Sequence, residues 1–209
     1  MLALELATTI RHDGHGGLLD LLGTPEGVEE WLVRTEPLVT ELLGTPLAQV
    51  SPPAGPALAP AVAGPALTDL RVVVRNLFAR AVRPASPTRV ELAVPLEPSV
   101  ALRRLNRAAE YLGTPRLTWE DDGDLPTITW AARSTDPLRL LSGAIARSTI
   151  DFLTSPDVAR LRACPAARCV RYFLQTDPRQ TWCSPSCGNR ERVSRHYRKQ
   201  SVDPSSLAE

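Results

Sequence analysis

The sequence predicts an α+β protein: a mostly helical N-terminal body carrying a small antiparallel hairpin, followed by a compact C-terminal unit built around four cysteines. Three observations lead there. All four cysteines of the 209-residue chain lie between positions 164 and 187. Upstream, apolar residues recur at helical spacing, as in Leu70, Val73, Val74, Leu77 and Ala81. Two β-rich runs, residues 116–120 and 127–131, flank the turn-forming Asp121-Asp122-Gly123-Asp124.

In chain order, Leu2, Leu4 and Leu6 alternate with Ala3 and Glu5, which predicts a short strand with one buried face. Residues 11–17 read as a Gly/His loop. Its His12 and His15 are weaker metal-ligand candidates than the cysteines, which already supply four sulfurs. Thr24-Pro25-Glu26 opens a helix carrying Val28, Trp31 and Leu32, and Pro37 is expected to break it. Residues 51–65 hold Pro, Ala and Gly without charge, an extended surface loop. Thr68 caps the next helix, and its Arg71, Arg75 and Arg80 are expected on a solvated face. Between residues 84 and 98, Val90, Leu92 and Val94 alternate like a strand. Ser99 caps a helix with Leu102, Leu105, Ala109 and Leu112 on one side. The acidic tip at 121–124 lacks the ligand spacing of a calcium loop and reads as an exposed turn. Trp119 and Trp130 are expected in the core. From Asp136 a long helix carries Leu138, Leu141, Ile145 and Phe152, and residues 155–157 restart a short helix leading into Cys164. The expected division is a body over 1–155, a finger over 156–200 and a flexible tail over 201–209.

The cysteines are spaced C-x4-C, 13 residues, C-x3-C: Cys164, Cys169, Cys183 and Cys187. Two close pairs joined by a hairpin-length gap suit one tetrahedral Zn2+ bound by four thiolates, a structural site with no open position for catalysis. Residues 170–174 read as a strand, 176–179 as a turn and 180–182 as the return strand. Ser184 and Pro185 then start a helix with Cys187 in its first turn, a treble-clef-like arrangement. The C-terminal unit is too poor in apolar side chains to fold without metal. No nucleophile–base pair, phosphate loop or nucleotide fingerprint stands elsewhere, so an enzyme is not expected.

Charge is divided along the chain. Residues 160–200 hold ten Arg/Lys against two Asp/Glu, a balance of +8, and the other residues balance at −7. A basic module on an acidic body points to a polyanion. Arg190, Arg192, Arg195, Arg198 and Lys199 crowd the last helix, with Arg179 in the preceding turn. Val193 and Tyr197 are expected to pack that helix on the hairpin. These six cations are the candidate contacts to double-stranded DNA. RNA binding is an alternative if Tyr172, Phe173 and Trp182 are exposed for stacking. A protein-docking surface and a redox-sensing metal site are others. No apolar run reaches membrane length, and the first ten residues lack a basic leader, so a cytoplasmic protein is expected.

Trp182-Cys183-Ser184 followed by Cys187-Gly188-Asn189-Arg190 resembles the signature of the CGNR zinc-finger family. Leu2-Ala3-Leu4-Glu5-Leu6 with Thr8-Thr9 is similar to the opening of the ABATE domain that accompanies it. The resemblance implies a bacterial transcription regulator of the stress-induced type, with the finger as its DNA-binding part. The body would then sense a small-molecule effector or mediate homodimer assembly. The chain departs from the pattern at Thr8, Gln175 and Thr181, where relatives favour Asn, Asp and Arg.

Overall fold

The first element is a helix, α1 (Leu2–Ala7), where alternation predicts a strand. Leu2, Ala3, Leu6 and Ala7 are all buried, a stripe of period 3.6 that the intervening alanines make possible. Ala3 also donates its amide to Ser148 Oγ at 3.2 Å, tying α1 to the longest helix of the C-terminal half of the body. The structure, a computed structural model, describes residues 1–50, 58–82, 88–118 and 126–201. Trp119, the acidic tip at 121–124, residues 51–57 of the Pro/Ala/Gly stretch and the expected tail beyond Ser201 lie outside the described residues.

A small hairpin follows, β1 (Ile10–His12) with β2 (Leu18–Asp20), where a loop is expected. Helix α2 (Pro25–Leu43) starts at Thr24, whose side chain accepts from the Gly27 amide, and ends at Gly44 in the left-handed conformation. Pro37 does not break it. Pro37 sits on the solvent face, where the carbonyl it leaves unpaired can meet water. After the short α3 (Leu47–Val50) comes α4 (Pro60–Ala81), which begins eight residues before Thr68 and runs through the exposed Pro65. The ambiguous stretch is helix α5 (Arg89–Ala93), set by a capping box in which Thr88 and Glu91 satisfy each other's backbone amides. Its Leu92 and Val94 point to solvent, so their alternation marks no strand.

Helix α6 (Pro98–Ala109) buries Leu105 and Ala108 but leaves Leu102 exposed. The expected hairpin is present as β3 (Thr114–Thr118) and β4 (Thr127–Ala131), paired antiparallel from Thr114↔Ala131. Trp130 is half-buried and donates its indole N–H to the Leu42 carbonyl at 2.8 Å. Helix α7 (Pro137–Thr154) buries Leu141, Ile145 and Phe152, and its N-cap is Asp136. A 3₁₀ turn (Pro156–Arg160) then leads into a third hairpin, β5 (Leu161–Ala163) with β6 (Tyr172–Leu174), and the chain reaches α8 (Pro185–Ser201).

One core collects α1, α2, α4, α6 and α7 around Trp31, Phe78 and Leu141. Leu161 and Tyr172 belong to that same core. Phe78 stacks edge-on against both Phe152 and Tyr172, with ring centroids 5.5 and 5.7 Å apart. The cysteine-bearing hairpin is therefore seated in the body's own interior.

Candidate metal centre

The hairpin β5–β6 presents its loop, residues 164–171, to the second cysteine pair. Cys164 N–H donates to the Arg171 carbonyl and Cys169 N–H to that of Ala166, both at 2.9 Å, closing the first knuckle. Arg168 takes φ +66° there, in the left-handed region. The second pair is set by the start of α8. Ser184 Oγ accepts from the Cys187 amide at 3.4 Å, the N-cap geometry expected of Ser184-Pro185.

The expected return strand at 180–182 does not form. Gln175 Nε2 donates to the carbonyls of Pro178 and Gln180, and Gln180 Oε1 accepts from Thr176. These side chains satisfy the backbone groups that a second strand would pair. Residues 161–163, read as the run-in to the site, supply the partner strand instead.

All four sulfurs lie within 4.8 Å of one another. Cys169–Cys183, Cys183–Cys187 and Cys187–Cys169 are 3.8, 3.6 and 3.8 Å apart. A tetrahedron with Zn–S bonds of about 2.3 Å has edges of roughly 3.8 Å, so the four cysteines fit one zinc ion. Crowding also couples the thiols. Hydrogen bonds from Cys169 and Cys183 pull Cys164 down to about 3, and the same interaction with Cys164 pushes Cys183 up. A divalent cation removes that conflict by replacing the shared protons. Around the sulfurs, the Cys183 amide donates to Cys164 at 3.5 Å and Arg190 Nη2 to Cys187 at 3.2 Å. Gly188 packs against the Trp182 indole, where a Cβ would lie 3.4 Å from the ring.

The candidate nucleic-acid contacts separate into three groups. Arg190 turns inward, between Cys187 and His12 Nδ1 of β1 at 3.5 Å. Arg179, Arg192 and Arg195 are exposed. Arg192 is bonded to the Asn189 side chain, and Arg195 pairs with Glu191 at 3.7 Å and lies over the Trp182 ring at 5.9 Å. Arg198 and Lys199 are in α8, and their side chains lie outside those described. Val193 and Tyr197 do not pack on the hairpin; they are 55% and 66% exposed. The first turn of α8 is held at the metal centre, and Val193 and Tyr197 beyond it stay largely exposed.

Sequence reasoning missed two buried arginines, one that braces the body and one that seats the finger. Arg71 and Arg75 of α4, expected in solvent, are buried. Arg71 forms a two-pronged pair with Asp20 at 2.6 Å and donates to Thr9 Oγ1 at 2.8 Å. Arg75 pairs with the buried Glu91 at 2.7 Å, donates to the Ala7 carbonyl at 2.6 Å and to the Val170 carbonyl in the metal-bearing hairpin at 2.8 Å. Its guanidinium also lies 4.9 Å above the Tyr172 ring. Tyr172 donates its hydroxyl to Glu91 at 2.9 Å. Burial, and then the Glu91 carboxylate, push that phenol's pKa up. Two signals could have revealed this cluster. Arg71 and Arg75, four apart, flank the apolar stripe of α4, and Thr88-x-x-Glu91 is a capping-box pattern.

Residues 1–156 match the ABATE family, described as "Putative stress-induced transcription regulator". Residues 160–200 match the CGNR zinc finger. These are regulator and zinc-finger families rather than enzyme families. No curated protein matches the chain. Among the described residues, no helix is long and apolar enough to cross a membrane. The opening motif of the ABATE resemblance builds α1 and, through Thr9, the socket of Arg71. With four cysteines positioned for a single structural zinc ion at one end and a family match over most of the remaining length, the chain belongs to the ABATE family and carries a CGNR zinc finger.

Proposed function

We propose that this chain is a bacterial, cytoplasmic, zinc-dependent transcription regulator that binds double-stranded DNA through its finger and carries no catalytic activity. Cys164, Cys169, Cys183 and Cys187 are its zinc ligands, in a finger spanning 156–200 on a body spanning 1–155, with 201–209 as a tail. The observation that carries the reading is the disposition of α8. Its first turn is fixed at the metal centre, and Arg192 and Arg195 beyond it face solvent. A rigid cationic rod of this kind suits phosphate contacts along a groove, with guanidinium edges free to read guanine. One helix makes few base contacts, so a homodimer supplies the rest of the specificity.

Stacking on RNA bases finds less support. Tyr172 and Phe173 are buried, and Trp182 is half-buried under Arg195. A protein-docking role draws on the exposed Val193 and Tyr197 among the arginines.

The test is selection of bound fragments from random duplex DNA by the zinc-loaded chain, with Arg192→Ala/Arg195→Ala as control. A motif that the double variant loses supports the reading; no motif, or the same one in both proteins, overturns it. Engagement of about five cations gives a log-affinity against log-salt slope of roughly −4 to −5.

A further inference from the structure

A cleft of about 680 Å³ lies between the metal knuckle and the body, within the roughly 300–1,000 Å³ typical of small-molecule sites. Arg89 of α5 lines its body side. Arg162 of β5 and Arg168 of the knuckle line the finger side. None of its described lining residues is Asp or Glu.

Each of the three guanidinium groups keeps its charge. Arg89 donates to the carbonyls of Gly16 and Gly17 at 3.0 and 2.9 Å. Arg162 donates to those of Ala159 and Leu161 at 2.7 and 2.9 Å. Neutral carbonyls orient a guanidinium without cancelling its charge. Arg168, among the described residues, makes no hydrogen bond or ion pair and is exposed. Three guanidinium groups around one concavity outweigh the metal centre's −2 and leave a balance of +1, with the cationic edges on the rim. Cys164 and Cys169 are part of the same lining, and a zinc tetrathiolate carries a net charge of −2, so it offsets part of the arginine charge without bonding these side chains. Its sulfurs take donors from Arg190 and the Cys183 amide, and none from these three side chains.

Arg168 adds a second, independent observation. Among the described residues it is the one non-glycine with positive φ, a conformation that glycine or asparagine would adopt more easily. The turn that closes the first knuckle sets this conformation, and the residue standing there is an exposed arginine on the rim of the cleft.

We propose that this cleft is a phosphate site, in which an anionic ligand is held by Arg89 of the body and by Arg162 and Arg168 of the finger. Thr88, which also lines the cleft, is hydrogen-bonded to Arg75 and Glu91 beneath the finger's seat. A ligand that touches both sides therefore favours the seated arrangement by its contacts alone. The site does not depend on the reading of α8 as the DNA contact. Phosphate can reach it from a free small molecule or from a nucleic-acid backbone, and the two sources are separable.

Full-length, zinc-loaded protein is titrated calorimetrically with pyrophosphate at constant ionic strength. The comparison proteins are Arg89→Gln/Arg168→Asn and a charge-matched control, Arg103→Gln/Arg133→Gln. Asparagine tolerates the left-handed region, so the knuckle turn is kept, and equal zinc content checks it. The expected result is saturable one-to-one binding, at least tenfold weaker in the cleft variant and unchanged in the control. Equal weakening in both variants overturns the proposal. So does an absence of saturable binding together with unchanged affinity of the cleft variant for a short DNA duplex. Duplex displaced by pyrophosphate, or duplex weakened in the cleft variant alone, assigns the phosphate to the nucleic-acid backbone. Pyrophosphate binding that leaves duplex affinity untouched assigns it to a small molecule. Failure of the wild-type chain to bind any duplex would count against the DNA reading alone, and the pyrophosphate result would stand.

Discussion

Arg71 and Arg75 of α4 are 2% and 1% exposed, whereas Arg192 and Arg195 of α8 stand in solvent. The four share one side chain and nothing else. In α4 each guanidinium faces a carboxylate, Asp20 or Glu91, and its remaining donors reach Thr9, Thr88 or the carbonyls of Ala7 and Val170. In α8 the guanidinium groups stay exposed: Arg192 meets the neighbouring Asn189, and Arg195 reaches Glu191, whose sheltered carboxylate also accepts from the Ala167 amide. The difference separates two tasks: the buried arginines brace the interior, Arg71 within the body and Arg75 between body and finger, and the exposed pair is left available to a partner. A net-charge count assigns both to the same cationic class, yet removing the first should damage the fold and removing the second should not.

Loss of the metal should have the greatest effect of all. Structural zinc supplies roughly 10–16 kcal/mol of apparent folding free energy in small fingers. The apolar side chains of the second pair's segment, 175–187, are few. Cys183→Ser, or chelation of the wild-type chain, is expected to unfold residues 175–199 while α1, α2, α4, α6, α7 and the core-seated β6 stay folded. Hydrogen exchange resolved by segment checks this, and protection retained at α8 without metal would contradict it. The buried pair comes next. Glu91→Gln leaves Arg75 without its counter-charge in a dry setting, a loss of about 3–5 kcal/mol. Urea denaturation measures it, and zinc content should be unchanged because no ligand is touched. A loss below about 1 kcal/mol would mean that the finger is not held by this pair.

Asp20 sharpens the same contrast at its weaker end, since its side chain is 39% exposed. Burial, the largest single influence, pushes its carboxyl up, but the Arg71 hydrogen bond, the Leu22 amide and the Arg71 charge together hold it below its ordinary value. A depressed folded value means that the contribution is present above the unfolded value of about 3.9 and fades as pH falls through the lower folded value. Asp20→Asn should cost about 1–2 kcal/mol near neutrality, discounted for solvent screening. It should also flatten the acid limb of the stability profile below about pH 4. An acid limb identical in the two proteins would remove Asp20 from the account.

Much of this molecule was legible where one residue type has one use. Clustered cysteines, Ser184-Pro185 before Cys187, and the apolar stripes of α4 and α7 all mark local geometry. The errors fall where tertiary packing overrides a local rule. Alternation at Leu2, Leu4 and Leu6 suits a strand until Ala3 and Ala7 are needed in a helix–helix contact. Pro37 and Pro65 break helices in isolation, but each lies on a solvent face that tolerates the missing hydrogen bond. Arg75 reads as solvated because its partners are distant in sequence, with Glu91 sixteen residues away and Val170 ninety-five. Val193 and Tyr197 have helical spacing yet stay largely exposed. Periodicity gives a face, not what covers it.

The smallest expected effect is the most discriminating. Arg192→Ala/Arg195→Ala removes two exposed guanidinium groups, a 3.7 Å ion pair with Glu191 and a 5.9 Å approach to Trp182. An exposed i,i+4 pair is worth about 0.3–0.5 kcal/mol, and a solvent-screened cation–π interaction about 0.5–1 kcal/mol. Alanine returns part of that through its higher helix propensity. The net change in stability should stay within about 1 kcal/mol, with zinc content unaltered. The same variant should flatten the salt dependence of duplex binding by about two units of slope, one for each phosphate that the variant no longer neutralises. The two measurements decide between the tasks. A stability loss comparable with that of Glu91→Gln would make Arg192 and Arg195 structural. A slope that does not move would leave them idle, and either result would dissolve the division between seated and available arginines.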